Sequence, residues 1–98
     1  MSATRIMIIR SLFNEMVTSA LLNGAQRVLS QAGTETVDVT EVDGCFELPV
    51  IASHAAQSGN YDAVIALGCV IRGETPHFDI VAESCANGLM NVSTQTGI

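Results

Sequence analysis

Three apolar runs along the chain have the character of β-strands. Residues 5–11 form a continuous β-branched run, which is typical of a strand covered on both faces, as in parallel sheets. Residues 36–42 alternate valines with polar side chains, so this second strand is expected to be solvated on one side and to lie near a sheet edge. Residues 61–71 are more apolar than the second run and predict a third, central strand.

An amphipathic stretch follows each of these runs. Residues 46–59 predict a helix in which Pro49 is tolerated only in the first turn and Gly59 is the stop. Residues 77–97 predict another helix, one face of which carries Val81, Cys85, Leu89 and Val92. The first helix is predicted over residues 14–33, with Asn14 as N-cap, Gly33 as stop, and an apolar stripe made of Val17, Leu21, Ala25, Val28, Leu29 and Ala32.

This alternation of strands and helices predicts an α/β fold with parallel strands joined by right-handed crossovers. Ligands bind such sheets beyond the carboxyl ends of the strands, where loops 11–14, 43–47 and 68–77 are expected to meet. At 98 residues the chain fits a single domain. Three parallel strands leave the most apolar one with an unpaired edge or a half-covered face, and a further β-branched run is expected after Ile98, so we expect a truncated domain.

Composition narrows the classes of partner. The net charge is −6 with only four Lys and Arg residues, which excludes the basic surface that nucleic acids or anionic lipids require. No apolar run approaches the roughly 20 residues that span a bilayer, and the N-terminus lacks a signal-peptide pattern, so a cytosolic protein is expected. Three widely spaced cysteines match neither a disulfide framework nor a metal motif, and we expect reduced, mostly buried thiols.

The third loop carries the strongest candidate site. Gly73 allows a ligand to approach the backbone, Thr75 offers a hydroxyl, and the start of the next helix offers N–H groups to an anion such as phosphate. His77 is a candidate proton carrier, because imidazole changes its charge near neutral pH. The alternative is an ordinary helix start, capped by Thr75, with Pro76 in the first turn and a solvated His77.

Charged residues around this loop allow two interpretations each. Arg72 either binds phosphate or pairs with a carboxylate. Glu74 and Asp79 either act as a carboxylate pair or complement the helix N-terminus. The P-loop and dinucleotide-binding glycine patterns are absent, which disfavours nucleotide binding.

The other two loops give weaker signals. Backbone groups of residues 44–47 beside the Glu47 carboxylate suit a polyhydroxyl or uracil-like ligand; the alternative is helix capping by Glu47 with Phe46 in the core. Phe13 either stacks on a planar ring or belongs to the core. His54 has no acidic or cysteine neighbours at ligand spacing and is expected at a surface or interface, and no metal site is predicted.

Several motifs together resemble those of the lumazine synthase family. They are FN at positions 13–14, GCFELP at 44–49 and YDAVIALGCVIRGETPHFDIVAE at 61–83, and the GxVIRGxTxH string within the last is highly specific to the family. The resemblance covers residues from about 5 to 98. It implies a flavodoxin-like, three-layer α/β/α fold with a parallel sheet, of which this chain holds the first three βα units and lacks the C-terminal strand and helices.

The resemblance also implies a reaction. Lumazine synthases condense 5-amino-6-(D-ribitylamino)uracil with 3,4-dihydroxy-2-butanone 4-phosphate to 6,7-dimethyl-8-ribityllumazine, phosphate and water in riboflavin biosynthesis, without a cofactor. By motif position, His77 would transfer protons. The implied substrate-binding residues are Phe13 and Asn14 at the pyrimidine, Gly44, Cys45, Phe46 and Glu47 along the ribityl chain, Val70 and Ile71 in the pyrimidine pocket, and Gly73, Glu74 and Thr75 at the phosphate.

Some positions depart from the family pattern. This chain has Asp43 where the family usually has Pro, Cys45 where it generally has Ala, and Leu12 where it often has Arg. These differences bear on fine specificity. Family members assemble as pentamers or sixty-subunit shells, which is implied for a complete chain, whereas the 98-residue chain alone is expected to be poorly soluble or partly unfolded. Two alternatives remain open: a non-catalytic flavin- or lumazine-binding protein, and a shell component of the same fold.

Overall fold

Strands and helices alternate along the chain in the predicted order. The structure is a computed structural model that describes residues 4–73 and 77–98. A short 3₁₀ turn at Cys45–Glu47 precedes the second helix. The other elements are β1 (Arg5–Ser11), α1 (Glu15–Gln31), β2 (Thr36–Val42), α2 (Leu48–Gln57), β3 (Ala63–Leu67) and α3 (His77–Thr96).

The three strands form one parallel sheet in the order β2-β1-β3. The edge position predicted for β2 is confirmed. The central position predicted for β3 is wrong for the described sheet, where β3 is the other edge and ends at Leu67 rather than at residue 71. The pairing of β3 with β1 ends where Leu67 pairs with Arg10. The pairing of β1 with β2 extends one residue further, to Ser11 and Val42, and the Leu12 N–H donates to the Val42 carbonyl at 2.7 Å.

Helices cover both faces of the sheet. Successive side chains of a strand point to opposite faces. Ile9 packs in the core cluster with residues of α2 and α3, whereas its neighbour Arg10 bonds to Ser19 of α1. The structure therefore has the three-layer α/β/α arrangement of the predicted flavodoxin-like fold.

The main core lies between the sheet, α2 and α3. Ile9, Leu48 and Val81 are buried there, and the predicted apolar face of α3 is confirmed because Cys85, Leu89 and Val92 pack against them. Gly88 permits the close approach of α3 to α2, since a Cβ at this position would lie 2.7 Å from the ring of Pro49. This packing fixes the start of α3 relative to the sheet.

α1 is packed less tightly on the opposite face. Its predicted apolar stripe is divided: Ala25 and Leu29 are half-buried, whereas Val17, Leu21 and Val28 are 40%, 42% and 60% exposed. Thr18 is the buried residue of this helix. The spacing of apolar residues therefore identified the helix, but it did not identify which side of the helix meets the sheet.

Turns between the elements use residues that tolerate a left-handed backbone. Gly33 and Gly59, the predicted helix stops, both have φ of 78°. Asn14 is the N-cap of α1 with φ of 57°, but its side chain makes no capping bond. The predicted cap position is thus confirmed, whereas its usual side-chain mechanism is not used. In the ranges that the structure describes, no helix is long and apolar enough to cross a membrane.

Candidate functional site

The three loops at the carboxyl ends of the strands enclose one cavity of about 260 Å³. Its walls come from the end of β1, the turn after β2, the segment after β3 and the start of α3. The cavity is lined by Phe13, Asp43, Gly44, Cys45, Phe46, Glu47, Cys69, Val70, Ile71, His77 and Val81. Eight of these residues belong to the predicted site, so the topology brings together most of what the sequence singled out.

Two of the predicted residues that the structure describes, Asn14 and Gly73, are not among those that line the cavity. Asn14 lies beside it and contacts Cys69 instead. Gly73 is exposed and its Cα faces open space. Glu74 and Thr75 lie outside the described residues, as does the alternative helix start in which Thr75 is the cap and Pro76 follows in the first turn.

Asp43, Cys69 and Val81 line the cavity although they were not predicted to do so. Cys69 directly precedes Val70, and Val81 lies one helical turn after His77 on the same face of α3. Asp43 adjoins Gly44, and it is one of the positions where the chain departs from the family pattern. Helical spacing and adjacency were therefore the signals that identify these three residues.

Two aromatic rings stand at the rim of the cavity. Phe13 and Phe46 are 51% and 58% exposed, so the alternative that either ring belongs to the core is wrong. The Phe13 N–H donates to the Asp43 carbonyl at 3.1 Å and to Ser11 Oγ at 3.3 Å, which holds its backbone against the turn after β2. Two accessible rings at one opening suit a planar ligand that stacks on an aromatic face.

The buried thiol of Cys45 lies at the bottom of the cavity, which we call its floor. Cys45 is 6% exposed, and its thiol donates to the Cys69 carbonyl at 3.6 Å. Burial raises the pKa of the Cys45 thiol above its ordinary value, and burial likewise raises the pKa of Cys85. All three cysteines are free, as expected, with Cys45 buried and the other two half-buried. Because its thiolate is disfavoured, Cys45 acts as a packing residue rather than as a nucleophile.

Asn14 links the first loop to the third. Its amide Nδ2 donates to Cys69 Sγ at 3.7 Å, and its backbone carbonyl accepts the N–H groups of Val17 and Thr18 at 3.1 Å. The left-handed conformation makes both contacts available from one residue, and Asn tolerates that conformation better than most side chains. Asn14 therefore couples the start of α1 to the wall formed by residues 69–71.

Glu47 places a carboxylate at the cavity wall. A Cβ at Gly44 would lie 3.4 Å from Glu47 Oε2, so the side chain folds back over the glycine. Glu47 occupies the N-cap position of α2 without a capping bond, and the alternative that it caps this helix is wrong. An exposed carboxylate in this place can accept hydrogen bonds from ligand hydroxyl groups.

Arg72 contacts a carboxylate and an aromatic ring at the start of α3. Its Nη2 lies 3.6 Å from Asp79 Oδ1, and its Cζ stands 4.6 Å from the centroid of the Phe78 ring. The pairing with a carboxylate is thus the arrangement observed. These contacts join the segment before residues 74–76 to the first turn of α3, which carries His77. Across residues 4–73 and 77–98, no group of three His, Cys, Asp or Glu side chains is placed to hold a metal ion.

Comparison with known proteins identifies relatives of the chain. The family model for 6,7-dimethyl-8-ribityllumazine synthase matches residues 3–98. The 6,7-dimethyl-8-ribityllumazine synthase of Thermococcus gammatolerans is 49% identical over 96% of this chain and 61% of its own length. The corresponding proteins of Prochlorococcus marinus and Xanthomonas campestris are 43% and 46% identical, each over 99% of this chain and over 65% and 64% of their own lengths.

The chain therefore spans 61% to 65% of the length of these curated relatives. The matched part contains all three loops of the cavity, because the family model extends from residue 3 to residue 98. A family-model match of that extent and relatives of this identity show that the chain belongs to the 6,7-dimethyl-8-ribityllumazine synthase family.

Proposed function

We propose that the protein to which this chain belongs condenses 5-amino-6-(D-ribitylamino)uracil with 3,4-dihydroxy-2-butanone 4-phosphate to form 6,7-dimethyl-8-ribityllumazine. The observation that carries the proposal is the cavity, where an aromatic rim, a carboxylate and His77 meet at the carboxyl ends of three parallel strands. The identity of the substrates is inferred from membership of the family. The geometry of the cavity offers a place for a planar ring, a polyhydroxyl chain and a proton carrier.

The pyrimidine substrate fits the side of the cavity formed by the first two loops. Phe13 offers an exposed ring on which the uracil can stack. Val70 and Ile71 provide an apolar wall opposite, with backbone groups for the ring edge. The ribityl chain then runs along residues 44–47, where the Glu47 carboxylate accepts hydrogen bonds from its hydroxyl groups.

The phosphate substrate is assigned to the other side, at the start of α3. This helix begins at His77 and is 20 residues long, and the N–H groups at a helix N-terminus bind anions. We assign the phosphate to the segment of Gly73, Glu74 and Thr75 that leads into it. The two substrates would thus meet beside His77, which lines the cavity.

The reaction needs proton transfers and no strong nucleophile. The 5-amino group attacks the ketone and water leaves to give an imine. Elimination of phosphate then leaves an enol, which tautomerises to a new carbonyl at the neighbouring carbon, and attack of the ribitylamino nitrogen on this carbonyl closes the ring with loss of a second water. His77 is placed to carry protons between these steps. The Cys45 thiol stays protonated and takes no part. Holding both substrates in reacting geometry supplies much of the rate, to which a positioned acid–base group adds about 10²–10⁴-fold.

Assembly into pentamers or sixty-subunit shells is part of the same proposal. An exposed apolar surface on α1, with Met16 86% and Val28 60% exposed, supports contacts between copies of the protein. We also place the protein in the cytoplasm, since three free cysteines suit a reducing compartment.

The experiment mixes the chain with both substrates and follows lumazine fluorescence and phosphate release together, against the spontaneous reaction. Product and phosphate above this background would support the synthase. Tight binding of 6,7-dimethyl-8-ribityllumazine without phosphate release would favour the non-catalytic alternative. A folded chain that neither binds lumazine nor releases phosphate would contradict the proposal for this part of the protein. The same assay would then be repeated on a fusion in which the C-terminal segment of a full-length relative follows Ile98. Activity in the fusion would show that the missing function resides in that segment.

A further inference from the structure

Arg10 is a buried charged residue at the end of β1, three positions before Phe13. It is 8% exposed. Its Nη1 donates to Ser19 Oγ of α1 at 2.9 Å, its Nη2 pairs with the Glu41 carboxylate of β2, and the same nitrogen lies 3.9 Å from Glu15 Oε1. One guanidinium therefore joins the end of β1, the end of β2 and the first turns of α1.

Stability alone does not account for an arginine at this position. Moving a charge out of water is costly, and well-packed apolar residues in place of buried ion pairs are often neutral or stabilising. Arg10 Nε is buried and makes no hydrogen bond within the part of the chain that the structure describes. The residue thus carries a cost that its ion pairs only partly offset.

Apart from the Arg10 contacts, the start of α1 is held by the long bond from Asn14 Nδ2 to Cys69 Sγ at 3.7 Å and by one buried side chain. Thr18 is the buried residue of this helix, while Val17 and Leu21 are substantially exposed. Asn14, directly before the helix, has a left-handed backbone, so the direction of the chain at Phe13 depends on where the first turn lies. A small shift of that turn would move the Phe13 ring at the rim of the cavity.

We propose that Arg10 is a positioning residue that holds the first turn of α1 against the ends of β1 and β2 and thereby fixes the Phe13 ring for a planar ligand. Phe13 is held to the turn directly after β2 by its backbone bond to Asp43, and the Arg10–Glu41 pair holds the end of the same strand. The part of this inference that concerns the ligand rests on the proposed function. The part that concerns the helix start does not.

Amide hydrogen exchange tests the position of the helix start without any ligand. The reporters are the Val17 and Thr18 amides, which bond to the Asn14 carbonyl. In Arg10→Met both amides should exchange about fivefold faster, as expected for the loss of charge-assisted hydrogen bonds. In Arg10→Lys their exchange rates should lie between those of Arg10→Met and the wild type, because an ammonium group keeps the charge but lacks the planar fork of the guanidinium. Arg27→Met, which removes the same charge from an exposed position of α1, should leave these amides unchanged.

Ligand binding then separates positioning from general destabilisation. The probes are 6,7-dimethyl-8-ribityllumazine, which reports on the Phe13 side, and inorganic phosphate, which reports on the α3 side. Arg10→Met should bind lumazine about fivefold more weakly, with phosphate affinity and Tm within error of the Arg27→Met control.

Three results would overturn the inference. Unchanged exchange at Val17 and Thr18 in Arg10→Met would show that the guanidinium does not hold the helix start. Unchanged lumazine affinity would show that its contacts do not reach Phe13. A parallel fall in lumazine affinity, phosphate affinity and Tm would make the role purely structural. If the wild type binds no lumazine, the proposed function fails at this chain, and the exchange result alone decides whether Arg10 fixes the helix start.

Discussion

Replacing Gly68 with Ala should destabilise the fold through a single contact. A Cβ at this position would lie 2.4 Å from Cys45 Sγ, at least 1.0 Å (3.4 − 2.4) closer than ordinary van der Waals contact. The sulfur has little room to move, because Cys45 is 6% exposed and bonded to the Cys69 carbonyl. Overpacking of a tight core costs about 1–3 kcal/mol. We therefore expect Gly68→Ala to lose about 2 kcal/mol, which lowers Tm by roughly 8–16 °C in a chain of this size.

A double-mutant cycle identifies the contact responsible. In a Cys45→Ala background the sulfur is gone. The added methyl group then meets the Cβ of residue 45 at an ordinary 3.8 Å and Leu48 Cδ1 at 3.1 Å, and the leucine must yield by a few tenths of an ångström. Gly68→Ala should then cost less than about 1 kcal/mol, so the coupling between the two changes is about 1 kcal/mol or more. The matched control is Gly24→Ala in α1, where nothing lies within 4 Å and the better helix former should add about 0.5–1 kcal/mol.

The assay is urea unfolding followed by far-ultraviolet circular dichroism, with the free energy of unfolding compared among wild type, both single variants and the double variant. Equal costs for Gly68→Ala with and without the Cys45 sulfur would refute the contact as the cause. A gain of stability in Gly68→Ala itself would show that the backbone after β3 relaxes, and that the floor of the cavity is not rigid. Either result would remove the argument that Cys45 packs against a glycine by necessity.

The remaining predictions concern titration, the surface ion pair and catalysis. Because burial raises the pKa of the Cys45 thiol above its ordinary 9.0, the unfolded chain loses this proton first as the pH rises. Tm should therefore fall as the pH rises from about 9 through the higher pKa of the folded protein, less steeply in Cys45→Ala; equal slopes would contradict this. Asp79→Asn should change stability by less than about 1 kcal/mol, since its pair with Arg72 is exposed; a loss of several kcal/mol would show the pair buried in an assembly. His77→Ala should slow lumazine formation by about 10²–10⁴-fold with His54→Ala as control, and an unchanged rate would reject its role.

Much of the framework was predictable because local chemistry decides it. The bounds of β1 and β2 agree with the predicted ranges, and the pairing between the two strands extends over the whole of both, from Arg5–Thr36 to Ser11–Val42. Parallel strands then required that the loops after them share one edge of the sheet. The cavity between residues 13, 43–47, 69–71 and 77 follows from that topology rather than from any single motif.

What could not be predicted depends on contacts between distant residues. Residues 68–71 are as apolar as a strand, yet β3 ends at Leu67, where its pairing with β1 ends at Arg10. The spacing of apolar residues in α1 could not show that the helix would meet the sheet through a bond between Ser19 and Arg10, with Val17 left exposed. Cys45 and Cys69 are 24 residues apart, and only the fold brings the thiol of one to the carbonyl of the other.

The floor and the rim of the cavity are held in place by different contacts, and this difference bears on how the site works. Its floor is fixed by close packing of Cys45 against Gly68, where a single added methyl group has no space. Its rim consists of exposed rings, of which Phe13 is held through its backbone and through the polar network of Arg10. Changes in the floor should therefore appear first as lost stability, whereas changes in the network should appear as weaker binding of a planar ligand. A variant of Arg10 that is as stable as wild type but binds lumazine poorly would separate these two contributions.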